Sequence, residues 1–368
     1  MDQTKISWKC GYEIELLAPQ GSSRLDLAKT IAANSGGTTA PCFHPQAELS
    51  DVEGSPVFEN LTLGYDAFDQ QGNLLARCAD DLTLQQDLEP NTAPKAGWYR
   101  IAGDDPRFLR LIMRHADPAA PLNEILNPVA KLFGTTPEHL PEGMVRLADS
   151  HNASIAIAAP LPGERQRPCE IITPPISKNH FQTLENLLAP ARQLSFTIPT
   201  EAALHIHFDG EKLCNAKVLS SLIEDLHLHG ESLKALVSPN PNCRRLGQWP
   251  VQLLAITQTD HFRSLDWQSV RDHLSDIGLT KFCDFNITNL IHRPPNKHTF
   301  EVRILPVSLM PEPIIHATAL FEAVLNNAIT PRHFIANKMQ DFRTFLQNLN
   351  LNKSSQKYWL DKCLSKSI

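Results

Sequence analysis

The sequence predicts an α+β fold, an antiparallel β-sheet with flanking helices. Three observations carry that expectation. Short runs such as GYEIEL, ALHIHF and TFEVRI alternate apolar and polar residues, the period of a half-buried strand. Residues 215–237 place Leu219, Leu222, Ile223, Leu226, Leu233 and Leu236 on one stripe at helical spacing,. Strand-like and helical runs mix, with hairpin signals in place of regular crossovers, which favours antiparallel pairing.

Taken in order, residues 7–18 read as a strand ended by Pro19. Ser22 and Ser23 cap a helix over about Arg24 to Asn34, and Gly36-Gly37 stop it,. Residues 41–105 are rich in Pro, Gly, Asp and Gln, with a hairpin expected around Asp69-Gln70-Gln71-Gly72-Asn73,. They read as an elaboration on the main sheet. Short helices are expected near 106–116 and 122–133. Residues 144–208 return to strand runs, MVRLAD, SIAIAAP, CEIITPP and ALHIHFD, with a helix over 180–193 between them. The 215–237 helix is interrupted by Gly230 at some cost and ends at Ser238-Pro239-Asn240-Pro241-Asn242,. Strands are then expected over 281–290 and 298–305, a helix from Pro311 to about Asn327, and a helical, polar tail after Pro331,.

Composition narrows the class. Of 368 residues, 42% are apolar and 20% charged, the balance of a globular protein. The formal net charge of −6 argues against nucleic acid or an anionic membrane as the main partner, since both reward basic patches. The polar start, Met1 to Lys9, has no apolar stretch behind it, and no segment reaches the roughly 20 apolar residues of a membrane helix,. The eight cysteines are scattered and none forms a Cys-x-x-Cys pair, so reduced thiols in a cytoplasmic protein are expected.

Three strands carry unexpected polar faces. Successive strand side chains point to opposite faces. Glu13 and Glu15 therefore oppose Tyr12, Ile14 and Leu16. His205 and His207 oppose Leu204, Ile206 and Phe208. Thr299, Glu301 and Arg303 oppose Phe300, Val302 and Ile304. For one strand alone, a solvated outer face explains such residues. His-x-His, however, suits a metal or a phosphate better than plain solvation. Glu170 adds a further carboxylate in Cys-Glu-Ile-Ile-Thr-Pro-Pro, where two prolines stiffen the strand exit,. Clustered carboxylates repel unless a cation lies between them. Magnesium prefers oxygen ligands and nucleotide phosphates, and an arginine nearby can fork onto a phosphate.

The ordered set Gly-Tyr-Glu-Ile-Glu, Glu-Ile-Ile-Thr-Pro-Pro, Leu-His-Ile-His and Phe-Glu-Val-Arg, spanning residues 11–306, resembles the amidoligase family. That family belongs to the carboxylate–amine ligase superfamily, with glutamate–cysteine ligase and glutamine synthetase. The resemblance implies a glutamine synthetase/glutamate–cysteine ligase-like sheet, and ATP with Mg²⁺ (or Mn²⁺). It implies an acyl phosphate formed on a substrate carboxylate and then attacked by an amine. It gives metal roles to Glu13, Glu15, Glu170, His205 and Glu301. His207 would lie near the nucleotide phosphates and Arg303 on the transferred phosphoryl. Arg244 and Arg245 fall where related enzymes place basic residues for substrate or phosphate, although adjacent arginines in a loop are equally at home in water. Asp149-Ser150 resembles the family's Asp-Gly-Ser element, without the glycine.

The resemblance implies a catalytic domain over 1–330, followed by the tail 331–368. Small-molecule or peptide carboxylates and amines would be its partners, with neither nucleic acid nor membrane, and the oligomeric state is left open. Three rivals stand beside this reading: a guanidino or carboxylate kinase on the same fold, a zinc amidohydrolase using the His-x-His pair, and a non-catalytic homologue that binds ligand. An amidohydrolase barrel places its His pair on an early strand in an eight-fold βα alternation; here the pair follows three carboxylates and no such alternation is visible.

Overall fold

The structure, a computed structural model, describes residues 5–49, 57–103, 105–243, 246–292, 297–330 and 341–366. β1 (Cys10–Leu17) leads into α1 (Arg24–Asn34), then β2 (Thr39–Leu49), β3 (Val57–Phe68), β4 (Leu74–Ala79) and β5 (Tyr99–Gly103). Helices α2 (Pro106–His115) and α3 (Asn127–Leu132) precede β6 (Glu138–His139), β7 (Val145–Ala148), β8 (Ser154–Pro160) and β9 (Pro168–Ile172). α4 (His180–Gln193), β10 (Leu204–Asp209) and the long α5 (Ala216–Val237) follow. The remainder is α6 (Gln252–Thr257), α7 (Asp260–Arg263), α8 (Trp267–Leu274), β11 (Phe285–Asn286), α9 (Thr288–Ile291), β12 (Thr299–Leu305), α10 (Pro311–Ile329), α11 (Phe342–Asn348) and α12 (Lys353–Lys366). The expected mixture of helices and antiparallel strands is thus present, and the described residues contain no eight-fold βα barrel.

The chain divides into two compact units. The first comprises Met1–Ile14, Pro175–Leu188 and Ala202–Ile368; the second comprises Glu15–Pro174 and Ala189–Glu201. β1 and α4 contribute residues to each.

In the first unit the strand order is β11-β12-β10-β1, antiparallel throughout. One sheet face is apolar. Tyr12, Ile14, Ile206, Phe208, Phe300, Val302 and Ile304 are essentially inaccessible, as are Leu219, Leu222, Leu233 and Leu236 of α5. α10 and α12 pack on α5. Asn215 caps α5 by accepting from the backbone N–H groups of Lys217 and Val218, and Pro311 opens α10,. Gly230 does not break α5. A Cβ there would stand 3.4 Å from the Phe285 ring, an ordinary packing distance.

The second unit holds β9-β4-β3-β5-β8-β7-β6, with β2 on β3. Residues 41–105 supply most of this sheet. β2 carries Pro41 and Pro45 and, among the described residues, pairs with β3 alone, a position where missing N–H donors are tolerated. Ile101, Ile112, Ile125, Val129, Leu147 and Ala158 form its core. Arg24, the first residue of α1, is fully buried. Its guanidinium donates to the Leu63 carbonyl at 2.8 and 2.9 Å and lies 4.3 Å from the Trp98 ring centroid.

Two expected elements shorten, and three short helices appear where none was expected. The helix over 122–133 shortens to α3, because residues 120–127 form successive tight turns closed by Ala120, Glu124 and Asn127 N–H groups. The strand over 281–290 shrinks to β11. There the Asn286 side-chain oxygen accepts from the Thr288 backbone and hydroxyl, at 2.8 and 2.6 Å, and turns the chain into α9,. Three short helices, α6 to α8, fill 252–274, where no periodic stripe announces them.

Candidate functional site: a polar face on three strands

Register places the site. Glu13 of β1 lies opposite His205 of β10, and His207 lies opposite Glu301 of β12, which in turn faces Asn286 of β11. Cross-strand neighbours share a face, so alternation on three strands gathers Glu13, His205, His207 and Glu301. Between Ile206 and Leu204, β12 spends one residue more than β10. This bulge falls at Arg303 and Ile304, and bulges re-aim side chains. Arg303 nevertheless joins the group: its Nη1 donates to Glu301 Oε1 at 2.5 Å.

Each member is held. Glu301 is 3% exposed. Asn286 Nδ2 donates to its Oε2 at 2.7 Å, and Arg303 takes the other oxygen. Glu13 Oε2 lies 3.2 Å from His205 Nδ1, and Lys297 Nζ donates to Glu13 Oε1 at 3.1 Å. His205 Nδ1 is also 3.7 Å from Glu301 Oε1. His207 Nδ1 meets the Thr299 hydroxyl at 3.1 Å, and Asn289 Nδ2 donates to that hydroxyl at 3.2 Å. The other nitrogen, His207 Nε2, lies 3.1 Å from Glu13 Oε1 and 3.7 Å from Glu301 Oε1. It is buried yet aligned for a hydrogen bond to neither.

The electrostatics keep both carboxylates ionised. Burial alone would raise Glu13, but the Lys297 ammonium, the His207 imidazole and the hydrogen bond from His205 bring it well below the usual carboxylate range,. Burial and the Glu13 charge likewise push Glu301 up. His207, Arg303 and His205 outweigh them and lower it to about 2. His205 is lowered as well: burial, then the Arg303 charge, hold its imidazole below the ordinary value and favour the neutral ring.

One donor atom each from Glu13, His207 and Glu301 can be chosen so that all three lie within 4.8 Å of one another. Two ionised carboxylates and an imidazole with an unsatisfied buried nitrogen form a donor set that fits a divalent cation. The ring orientation is fixed from behind by Thr299, the arrangement common around metal-binding histidines.

Glu15 and Glu170 are buried in the second unit, where Glu170 Oε2 lies 3.8 Å from His44 Nε2. Asp149 spends its carboxylate on a turn, accepting from the His151 and Ala153 N–H groups at 2.8 Å each. Arg244 and Arg245 lie outside the described residues. Sequence reasoning missed Asn286, Lys297, Asn289 and His44. Asn286 and Asn289 sit in Phe-Asn-Ile-Thr-Asn, where repeated Asn and Thr were a visible turn signal. Lys297 had no signal beyond its place two residues before β12.

Residues 7–325 match the family described as "Putative amidoligase enzyme". No curated protein matches the chain. Among the described residues no helix is long and apolar enough to cross a membrane. Matched over most of its length, and carrying the four motifs on which the resemblance was drawn, the chain belongs to the amidoligase family.

Proposed function

We propose that this chain is an ATP-dependent carboxylate–amine ligase on a glutamine synthetase-like sheet. It would phosphorylate a substrate carboxylate, release ADP, and let an amine displace phosphate to leave an amide. The observation that carries this reading is the convergence of Glu13, His207 and Glu301, with Arg303 bound to Glu301, on one polar sheet face of a family named for amidoligase chemistry.

Magnesium or manganese held by Glu13, His207 and Glu301 would neutralise nucleotide phosphate charge. The chain's own residues prepare for that charge. Depressed carboxylate pKa values keep Glu13 and Glu301 anionic at neutral pH. Asn286 and Arg303 fix Glu301, and Thr299 fixes His207. Arg303 brings a planar, permanently charged group beside the position of a transferred phosphoryl. Lys297, with its side chain about half exposed, offers a second cation at the rim. Glu15, Glu170, His205, Arg244 and Arg245 are proposed contributors on the resemblance. The substrates would be a small-molecule or peptide carboxylate and an amine.

The test supplies ATP, magnesium and hydroxylamine with a panel of amino acids, peptides and polyamines. The reading expects ADP release that depends on a carboxylate, together with a trapped hydroxamate. ADP release that depends on a guanidino compound instead would favour the kinase. AMP and pyrophosphate would indicate adenylation and overturn the proposal.

A further inference from the structure

Outside the strand-face cluster, a cysteine and a histidine meet at the end of β10. Five of the eight cysteines, Cys10, Cys78, Cys169, Cys283 and Cys363, are buried, but Cys214 is only half-buried. It follows the short turn Glu211–Leu213. Its Sγ lies 3.2 Å from His298 Nε2 and 3.3 Å from the Gly210 carbonyl. The same turn is latched to His298 by its backbone, with Gly210 N–H donating to the His298 carbonyl at 3.0 Å. A Cβ on Gly210 would stand 2.2 Å from Leu290 Cδ2 and 3.1 Å from the His298 carbonyl oxygen. Only glycine allows so close an approach.

We propose that Cys214 and His298 form a reactive thiol site that exchanges with small-molecule disulfides. A thiol paired with an imidazole is the arrangement that makes cysteine nucleophilic. As Cys214 Sγ attacks one sulfur of RS–SR, its proton passes to His298 Nε2. The RS–SR bond breaks, a Cys214–SR bond forms, and the departing RS⁻ takes the proton to leave as RSH. The Cys214 sulfur is oxidised and the departing sulfur reduced, with no other reactant.

The site also has a route to the strand face. His298 is flanked by Lys297, which donates to Glu13, and by Thr299, which meets His207. An adduct on Cys214 crowds His298 and with it both anchors.

The test uses the full chain at pH 7 with limiting 4,4′-dithiodipyridine, followed by peptide mass spectrometry. Cys214 should react about a hundredfold faster than Cys42 and Cys243, the lower end of what a positioned base contributes. The latter two are also half-buried, and burial pushes the Cys42 thiol up to about 12. His298→Asn should slow Cys214 about a hundredfold and leave Cys42 and Cys243 unchanged. Buried Cys78 reports on folding; if it becomes labelled in that variant, His298→Gln and the wild-type ranking decide. Cys214 reacting no faster than Cys243, or unaffected by either folded variant, would overturn the site. In hydrogen exchange, the adduct should speed exchange over Thr299–Glu301. Unchanged exchange there would overturn the coupling.

Discussion

Glu301 is gripped by two donors, Asn286 and Arg303, and the quality of that grip decides what the site can hold. The resemblance puts Arg303 on the transferred phosphoryl; in the structure it is 8% exposed and tied to Glu301. Arg303→Lys keeps the charge and loses the fork. Under the proposed function, turnover should then fall about a hundredfold or more, the scale of losing one preorganised donor. Arg303→Gln should in addition lower stability by about 3–5 kcal/mol, because it strands a buried carboxylate. Steady-state kinetics and denaturant melts separate the two effects. If Arg303→Lys leaves turnover intact while both variants unfold early, Arg303 is a structural partner only. Thr299 offers a finer probe. Thr299→Val keeps the shape of the side chain but removes the hydroxyl that orients His207. Manganese affinity, read by paramagnetic titration, should drop about 10–100-fold, as when outer-sphere partners of a metal site are lost. Unchanged affinity would take His207 out of the cation site.

At the scale of the element, β12 separates function from stability within seven residues. Val302 is wholly buried between Phe300 and Ile304. Val302→Ala should lower stability by about 1–3 kcal/mol through lost burial and a small cavity, with manganese affinity retained. Elements of this kind were legible in the sequence. Period-two alternation marked β1, β10 and β12, and the face carrying Glu13, His205, His207, Glu301 and Arg303 follows from it. Ser22 and Ser23 marked the start of α1, where Ser23 forms a reciprocal cap with Asp26,. What sequence could not supply was long-range register. Asn286 reaches Glu301 only because a two-residue strand lies beside β12, and Lys297 reaches Glu13 across 284 positions of chain. Arg24 read as an ordinary first-turn residue, because nothing local announces the Leu63 carbonyl that captures it.

For the whole molecule, acid sensitivity should begin with histidine. Burial lowers His180 to about 4; its Nδ1 lies 3.1 Å from the Tyr12 hydroxyl. In the unfolded chain the same imidazole titrates near 6.5. The folded value is depressed, so this contribution is fully present above about pH 6.5 and is lost as pH falls toward 4. Glu13 and Glu301 are depressed from the carboxylate range, so their contribution disappears only at lower pH. Denaturant midpoints measured between pH 7.5 and 4.5 should therefore fall in the wild type and fall less in His180→Gln. Equal slopes would show that His180 titrates in the fold as it does in the unfolded chain.

The claim that joins these scales is that the strand face binds a nucleotide through a divalent cation. Calorimetric titration of ATP into the wild-type chain and into Glu13→Ala, each with magnesium and with chelator, tests it most directly. The account predicts binding by the wild type with magnesium, its loss with chelator, and clearly weaker binding by Glu13→Ala with magnesium. ATP bound equally well with chelator and with the Glu13→Ala chain would contradict it.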